Sequence, residues 1–494
     1  MRAPRALALI GCLTSIASAP ACQDDTAADD AAAPSGAADG TSPGRPRHDG
    51  NDTNGDGGAT ATTDGGLSAD AGDAEPPPVP YVHFDVNHVL STGQSNSVAN
   101  DAVPVLTTTQ PYSNLMFDVG VMTAASCDGD GCTAYQKPSS FLPLVEGDSF
   151  WYPVETMSSG LANEAAKLGL AKNHAVLVSL HGRSGNSYWC LRKGSCPWWP
   201  GRSYIQPFAE AMMQVTDAMA IASAAGKSYA VRAVTAIHGE HDHYAYSSND
   251  SAFPLEGTDG ASTVTDYADA LLEWQRDYDA SVKAITGQTV PVPLFVNQYS
   301  HWNDVPTTKV AYMQLDAHVR SEGKVVVVGP TYALDYSSNC LHFLNHAERQ
   351  LGEYFGKAYA RVVIDGKKWE PLRPIALTLT GNVVTAKFHV PSPPLVFDTT
   401  RVSDPGNYGF EWYDASGAPP AITGVAITGP DTVEVTLASA PTGNDKRLRY
   451  AYTFRGCGGS GTIARGNLRD SDATPSNYGY DLFNWAVHFD VPVE

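Results

Sequence analysis

The sequence predicts an α/β protein: a parallel sheet covered by helices on both faces, followed by an all-β sandwich. Two patterns carry this expectation. From about Tyr81 to about Asp365, short continuous Val-rich runs alternate with longer helix-like stretches. Strands of a parallel sheet are buried on both faces and so read as unbroken apolar runs. After about Gly366 the period drops to two, with Gly, Pro and Asn between short runs such as "PIALTLTGNVVTAKFHV" and "RLRYAYTF", the pattern of an antiparallel sandwich.

The N-terminus comes first in the chain and reads as an export signal, residues 1–21. Arg2 and Arg5 precede the apolar "ALALIGCLTSIASA", and small residues precede Cys22, the order of a secretory signal. A cysteine there, ahead of a polar tether, is similar to a bacterial lipoprotein signal, although Ala19 and Pro20 depart from the usual lipobox. A lipid on Cys22 is the expected membrane contact, with outer-membrane or cell-surface placement; plain secretion is the alternative. Residues 22–79 form an acidic linker. Between Gln23 and Pro80 stand 12 Asp plus Glu against 2 Arg, about −10 of the chain's formal −21. This Ala-, Gly-, Ser- and Pro-rich stretch offers little to bury and is expected to be disordered. "DTNGDG" at Asp52 starts like a calcium loop, but Thr63 stands where the twelfth-position Glu belongs. An acidic chain without basic clusters excludes nucleic acid as a partner.

Within residues 80–365, strands are predicted at His88–Thr92, Ala175–Leu180, Tyr229–Ile237, Val292–Asn297 and Lys324–Val328. Helices are predicted at Gly160–Ala171, Ile205–Ala225, Asp266–Ile285, Thr307–Ser321 and Ala347–Val362. Residues 366–494 form the sandwich. Export makes disulfides the expected state of the six later cysteines. Proximity suggests Cys127 with Cys132 and Cys190 with Cys196, leaving Cys340 and Cys457.

Four segments bear chemistry, each near a strand end or the end of the α/β region, where open parallel sheets hold their ligands. They are "GQSN" at Gly93, "SLHGRSGNSYW" at Ser179, "AIHGEHDH" at Ala236 and "NCLHFLNHAERQ" at Asn339. A serine after a glycine turn is a potential nucleophile, and glycines at 182 and 185 can bring bare amides near a ligand. The third segment offers His238, Glu240, His241, Asp242 and His243 as metal donors, but a strand end cannot converge them all, and no metal or cofactor is expected.

Together and in this order, the four resemble the blocks of the SGNH hydrolases, above all the sialate O-acetylesterase and acetylxylan esterase group. "GQSN" matches the first block. "HGEHD" is similar to QGExD, with His238 in place of Gln, and "NCLH" is similar to DxxH, with Asn339 in place of Asp. The resemblance implies a flavodoxin-like three-layer fold and an acetylated carbohydrate substrate. It implies Ser95 as nucleophile and His342 as base, with the Ser95 amide and Gly182 or Gly185 as oxyanion donors and Gln94, Asn96 and His238 lining the site. With Asn339 unable to match a carboxylate, Glu240 is the expected acid behind His342; Asp335 and a dyad oriented by Asn339 are the alternatives. Trp189, Trp198, Trp199 and Trp302 are either a sugar-stacking wall or core. A surface-tethered glycan-binding protein without activity is the competing reading.

Overall fold

A computed structural model describes residues 77–128, 131–147, 153–194, 205–245, 253–301, 309–454 and 461–493. All belong to one compact unit, Thr63–Glu494. The signal segment, Cys22, residues 22–76 of the linker, and Cys196, Trp198, Trp199, Trp302 and Cys457 lie outside the described residues.

The central sheet has seven strands: β1 Val86–Gly93, β2 Leu115–Phe117, β3 Phe141–Pro143, β4 Val176–Leu180, β5 Tyr229–Ile237, β6 Leu294–Gln298 and β7 Val325–Pro330. Their order is β7-β6-β5-β1-β4-β2-β3. Every pairing is parallel except β2 with β3 at the edge. The five long parallel strands therefore run in the flavodoxin-like order 2-1-3-4-5, which opens a crevice at the carboxyl ends of β1 and β5, where the winding reverses. β1, "VNHVLSTG", is wholly buried. Its buried His88 is paired there: it shares hydrogen bonds with Tyr229 Oη (2.7 Å) and Ser179 Oγ (2.8 Å).

Helices α1 Ser158–Leu168, α2 Tyr188–Leu191, α3 Pro207–Ala224, α4 Glu240–Ala245, α5 Tyr267–Thr286, α6 Val310–Arg320 and α7 Asn345–Tyr359 complete the α/β layers. Their limits follow local chemistry. Gln206 accepts from the Ala209 amide ahead of α3, with Pro207 in its first turn. Asp266 caps α5 by accepting from the Asp269 amide, and Gly287 ends it in the left-handed region. α1 and α7 cross so closely that a Cβ on Gly352 would overlap the Met157 carbonyl.

The C-terminal region is antiparallel. Strands β8 Arg373–Thr380, β9 Val383–His389, β10 Phe410–Tyr413, β11 Ile422–Ile427, β12 Thr432–Leu437, β13 Arg447–Tyr450 and β14 Phe489–Pro492 form two sheets. Their orders are β8-β9-β12-β11 and β10-β13-β14. The sheets meet through Phe388 and Phe489, edge to face at 6.1 Å. This β region shares one apolar cluster with the α/β layers, running from Val89 through Phe355 and Trp369 to Phe388 and Val433. Polar links add to it. Buried Lys357 on α7 donates to Asp472 Oδ2 (3.0 Å) and Asn484 Oδ1 (2.8 Å), and Gln298 exchanges two bonds with the His488 backbone.

Among the elements that went unpredicted are the edge pair β2–β3, the short helices α2 and α4, and a hairpin, Ala124–Asp128 with Gly131–Tyr135, which sets Cys127 opposite Cys132 in Cα register. The α1–α7 contact yields a test. Gly352→Ala must force the helices apart and should lower stability by about 1–3 kcal/mol, the usual cost of overpacking. Thermal unfolding reads this directly; an unchanged Tm would contradict so close a crossing.

Candidate active site

The turn after β1 is set by backbone alone. Gly93 sits at φ +131°, and a Cβ there would overlap the Ile237 carbonyl at the end of β5. Only glycine allows this approach. The same carbonyl accepts from the Gln94 amide (3.1 Å), and the Gln94 side chain accepts from the His241 amide (3.0 Å). Ser95 follows, nearly buried, at the mouth of the β1/β5 crevice. The turn then tightens through Ala99 (φ +58°) and Asp101 (φ +69°).

The loop after β4 lies against this turn. The Arg183 amide donates to the Gly93 carbonyl (2.9 Å), and a Cβ on Gly182 would overlap Ser97 Oγ. The amides of Ser95 and Gly182 have no hydrogen-bond partner among the described residues, so both can serve a developing anion. Gly185 stands further out, at φ +67° in an open turn. Arg183 pairs with Glu210.

Asn96 joins the serine turn to the His342 loop. Its Nδ2 donates to the Leu341 carbonyl (3.1 Å) and to Glu240 Oε1 (2.9 Å), and its Oδ1 accepts from the Phe343 amide (3.4 Å). The two backbone bonds straddle His342 and bring the loop that carries it against the turn that carries Ser95.

The carboxylate on His342 is Asp101. Its Oδ2 accepts from His342 Nδ1 at 3.0 Å and from Asn339 Nδ2 at 2.7 Å. Asn339 has its orientation fixed by its other end: Oδ1 accepts from the amides of Leu341 (2.9 Å) and His342 (3.0 Å). Asn339 therefore caps the loop and hands a neutral donor to Asp101. An Asp at 339 would lack that N–H and set a second negative charge beside the first.

This corrects two expectations. Glu240 does not meet the imidazole; it accepts from Asn96, and burial raises its pKa. Asp335, the alternative acid, pairs instead with His346 Nε2 (2.8 Å) and Arg401 (3.3 Å). His238 is likewise not a site donor. Its Nε2 meets the Asn186 carbonyl (3.0 Å) and its Nδ1 the Tyr267 hydroxyl (2.6 Å). A carbonyl only accepts, so Nε2 carries the proton and Nδ1 accepts from the phenol. Burial lowers the His238 pKa to about 3, holding it neutral. Asp242 accepts from the Tyr188 amide (2.9 Å) at the start of α2. Of the donors of "HGEHDH", His238 Nε2 and Asp242 Oδ2 lie 3.4 Å apart, but no three described His, Cys, Asp or Glu residues are grouped to hold a metal. Trp189 packs against the apolar cluster beneath α5.

No protein-family profile and no curated protein matches this chain. Solved structures do resemble it. A carbohydrate acetylesterase from Xanthomonas citri is 12% identical, over 82% of this chain and 80% of that one, with a TM-score of 0.49. NanS is 15% identical, over 56% and 98%, with a TM-score of 0.31. A carbohydrate acetylesterase from Sinorhizobium meliloti is 11% identical, over 56% and 98%, with a TM-score of 0.27.

His238→Ala should strand the Asn186 carbonyl and the Tyr267 hydroxyl and cost about 2–4 kcal/mol in urea unfolding. The unfolded chain takes up a proton at this position below pH 6.5, which the folded chain refuses until about pH 3. The stability His238 contributes is therefore present above pH 6.5 and lost as pH falls toward 3. The gap between parent and variant should narrow from pH 7 to pH 4. A gap that widens, or a variant of full stability with little activity, would return His238 to the reacting centre.

Proposed function

We propose that this chain is a serine carboxylic-ester hydrolase that removes acetyl groups from a carbohydrate. The observation that carries the proposal is the double clasp of Asn96 around His342, with Asp101 on Nδ1. A histidine donating Nδ1–H to a carboxylate presents Nε2 as a lone pair, the form a serine hydroxyl needs as its base. His342 takes the Ser95 proton as Oγ attacks the ester carbonyl, and Asp101 stabilises the imidazolium that results. The Ser95 and Gly182 amides receive the oxyanion, a contribution of about 3–4 kcal/mol for each donor. His342 then returns the proton to the departing sugar hydroxyl, and water repeats the cycle on the acyl-enzyme. No step here calls on a cofactor. The acetyl group and the glycan rest on the resemblance of the four blocks. The competing reading of an inactive binder drew on His238 and Asn339, and the contacts of both residues agree with an intact centre.

The proposal includes export, with disulfides Cys190–Cys196 and Cys340–Cys457 and a lipid on Cys22. Cys22→Ser should abolish incorporation of labelled palmitate in a bacterial host that processes lipoproteins; labelling that persists would remove the anchor.

Hydrolysis of p-nitrophenyl acetate tests the chemistry. Ser95→Ala should lose at least about 10³-fold in kcat, and Asp101→Asn about 10²–10⁴-fold. Glu240→Gln, which still accepts from Asn96, should lose less than about tenfold, because it meets no reacting group. Equal activity of parent and Ser95→Ala would end the esterase reading, and a larger loss at Glu240 than at Asp101 would reverse the assignment of the acid.

A further inference from the structure

The loop that carries His342 has a second end. Asp335 and His346, which bracket it, line a cavity of about 350 Å³ shared with the C-terminal region. That volume falls in the range of small-molecule sites. From the β region come Arg401, Tyr480, Asp481 and Phe483. The Leu344 amide donates to the Asp335 carbonyl (2.9 Å) and the Ser337 amide to the His342 carbonyl (2.7 Å), so cavity wall and catalytic loop are one hydrogen-bonded piece.

We infer that this cavity is a distal subsite that binds a neutral stretch of the glycan chain whose acetyl group is cleaved at Ser95; the inference rests on the carbohydrate reading above. Three features point to this ligand. Aromatic rings stand in the wall and are held rigidly: Tyr480 Oη accepts from Arg349 Nε (3.0 Å) and Nη2 (2.8 Å), and the Arg469 guanidinium lies 3.7 Å over Phe483. Rigid rings suit the apolar faces of sugars at small entropic cost. Polar groups stand beside them in acceptor–donor variety. Asp335 is tied to His346 and Arg401, while the Asp481 carboxylate has no partner among the described residues and can accept from vicinal hydroxyls. The charge selects the class. Arg401 neutralises Asp335 and Arg469 neutralises Asp398, which leaves Asp481 as the carboxylate of the wall without a cation among the described residues, so a uronate or sialate chain meets repulsion there and a neutral chain does not.

Calorimetry on the full-length Ser95→Ala protein tests the subsite without turnover, using xylohexaose, mannohexaose and cellohexaose beside hexagalacturonate. At least one neutral hexamer should bind, and Asp481→Ala and Phe483→Ala should each weaken it tenfold or more. Phe483→Ala also removes the Arg469 stack, so Asp481→Ala decides the matter if the first variant fails to fold. Binding of no neutral hexamer, or affinity unmoved by Asp481→Ala, overturns the subsite; tighter binding of hexagalacturonate overturns the ligand class. Parent turnover of p-nitrophenyl acetate decides the esterase reading separately, so either claim can fail while the other stands.

Discussion

The close approach of Gly93 to the Ile237 carbonyl holds the site together. A strand ending in any other residue would be pushed off β5 by its own Cβ. With the two strand ends in contact, one carbonyl accepts the Gln94 amide and sets the direction of the turn. The turn then delivers three functions within nine residues: Ser95 at the mouth, Asn96 reaching to the His342 loop, and Asp101 folding back beneath the imidazole. The order of the sheet makes this the natural place for it, because the crevice at the carboxyl ends of β1 and β5 arises where the winding changes direction.

Charge explains why the fourth block carries Asn339. One carboxylate beside an imidazole stabilises its protonated form; two carboxylates sharing the place would repel, and one would take up a proton. Asp101 supplies the charge, and Asn339 supplies a neutral N–H to the same oxygen while its carbonyl end caps the loop. Glu240 serves differently. Buried and biased toward its neutral form, it is suited to fixing Asn96 and ill suited to balancing an imidazolium.

The five long parallel strands and five of the helices were legible in the sequence because each buries both faces or one stripe and so repeats a period. The edge strands β2 and β3 span three residues each, too short to show one. At the site, Ser95, Gly182 and His342 stood in recognisable blocks near strand ends. Asp101 did not, being outside every block. Its trace was physical and local: Asn100 and Asp101 end the turn, residue types that tolerate positive φ, and the missing acid at 339 required a substitute within reach. His238 and Glu240 were misjudged for the converse reason. Position in a block marks a place in the chain, whereas role follows from which atoms each ring or carboxylate meets.

The most direct measurement is the proton NMR signal of the His342 Nδ1–H. A proton shared with a carboxylate in a partly buried site resonates far downfield of ordinary amides. The parent protein and Glu240→Gln should both show it, and Asp101→Asn should lose or strongly shift it. A downfield proton that survives in Asp101→Asn and vanishes in Glu240→Gln would contradict the assignment of Asp101 as the acid behind His342.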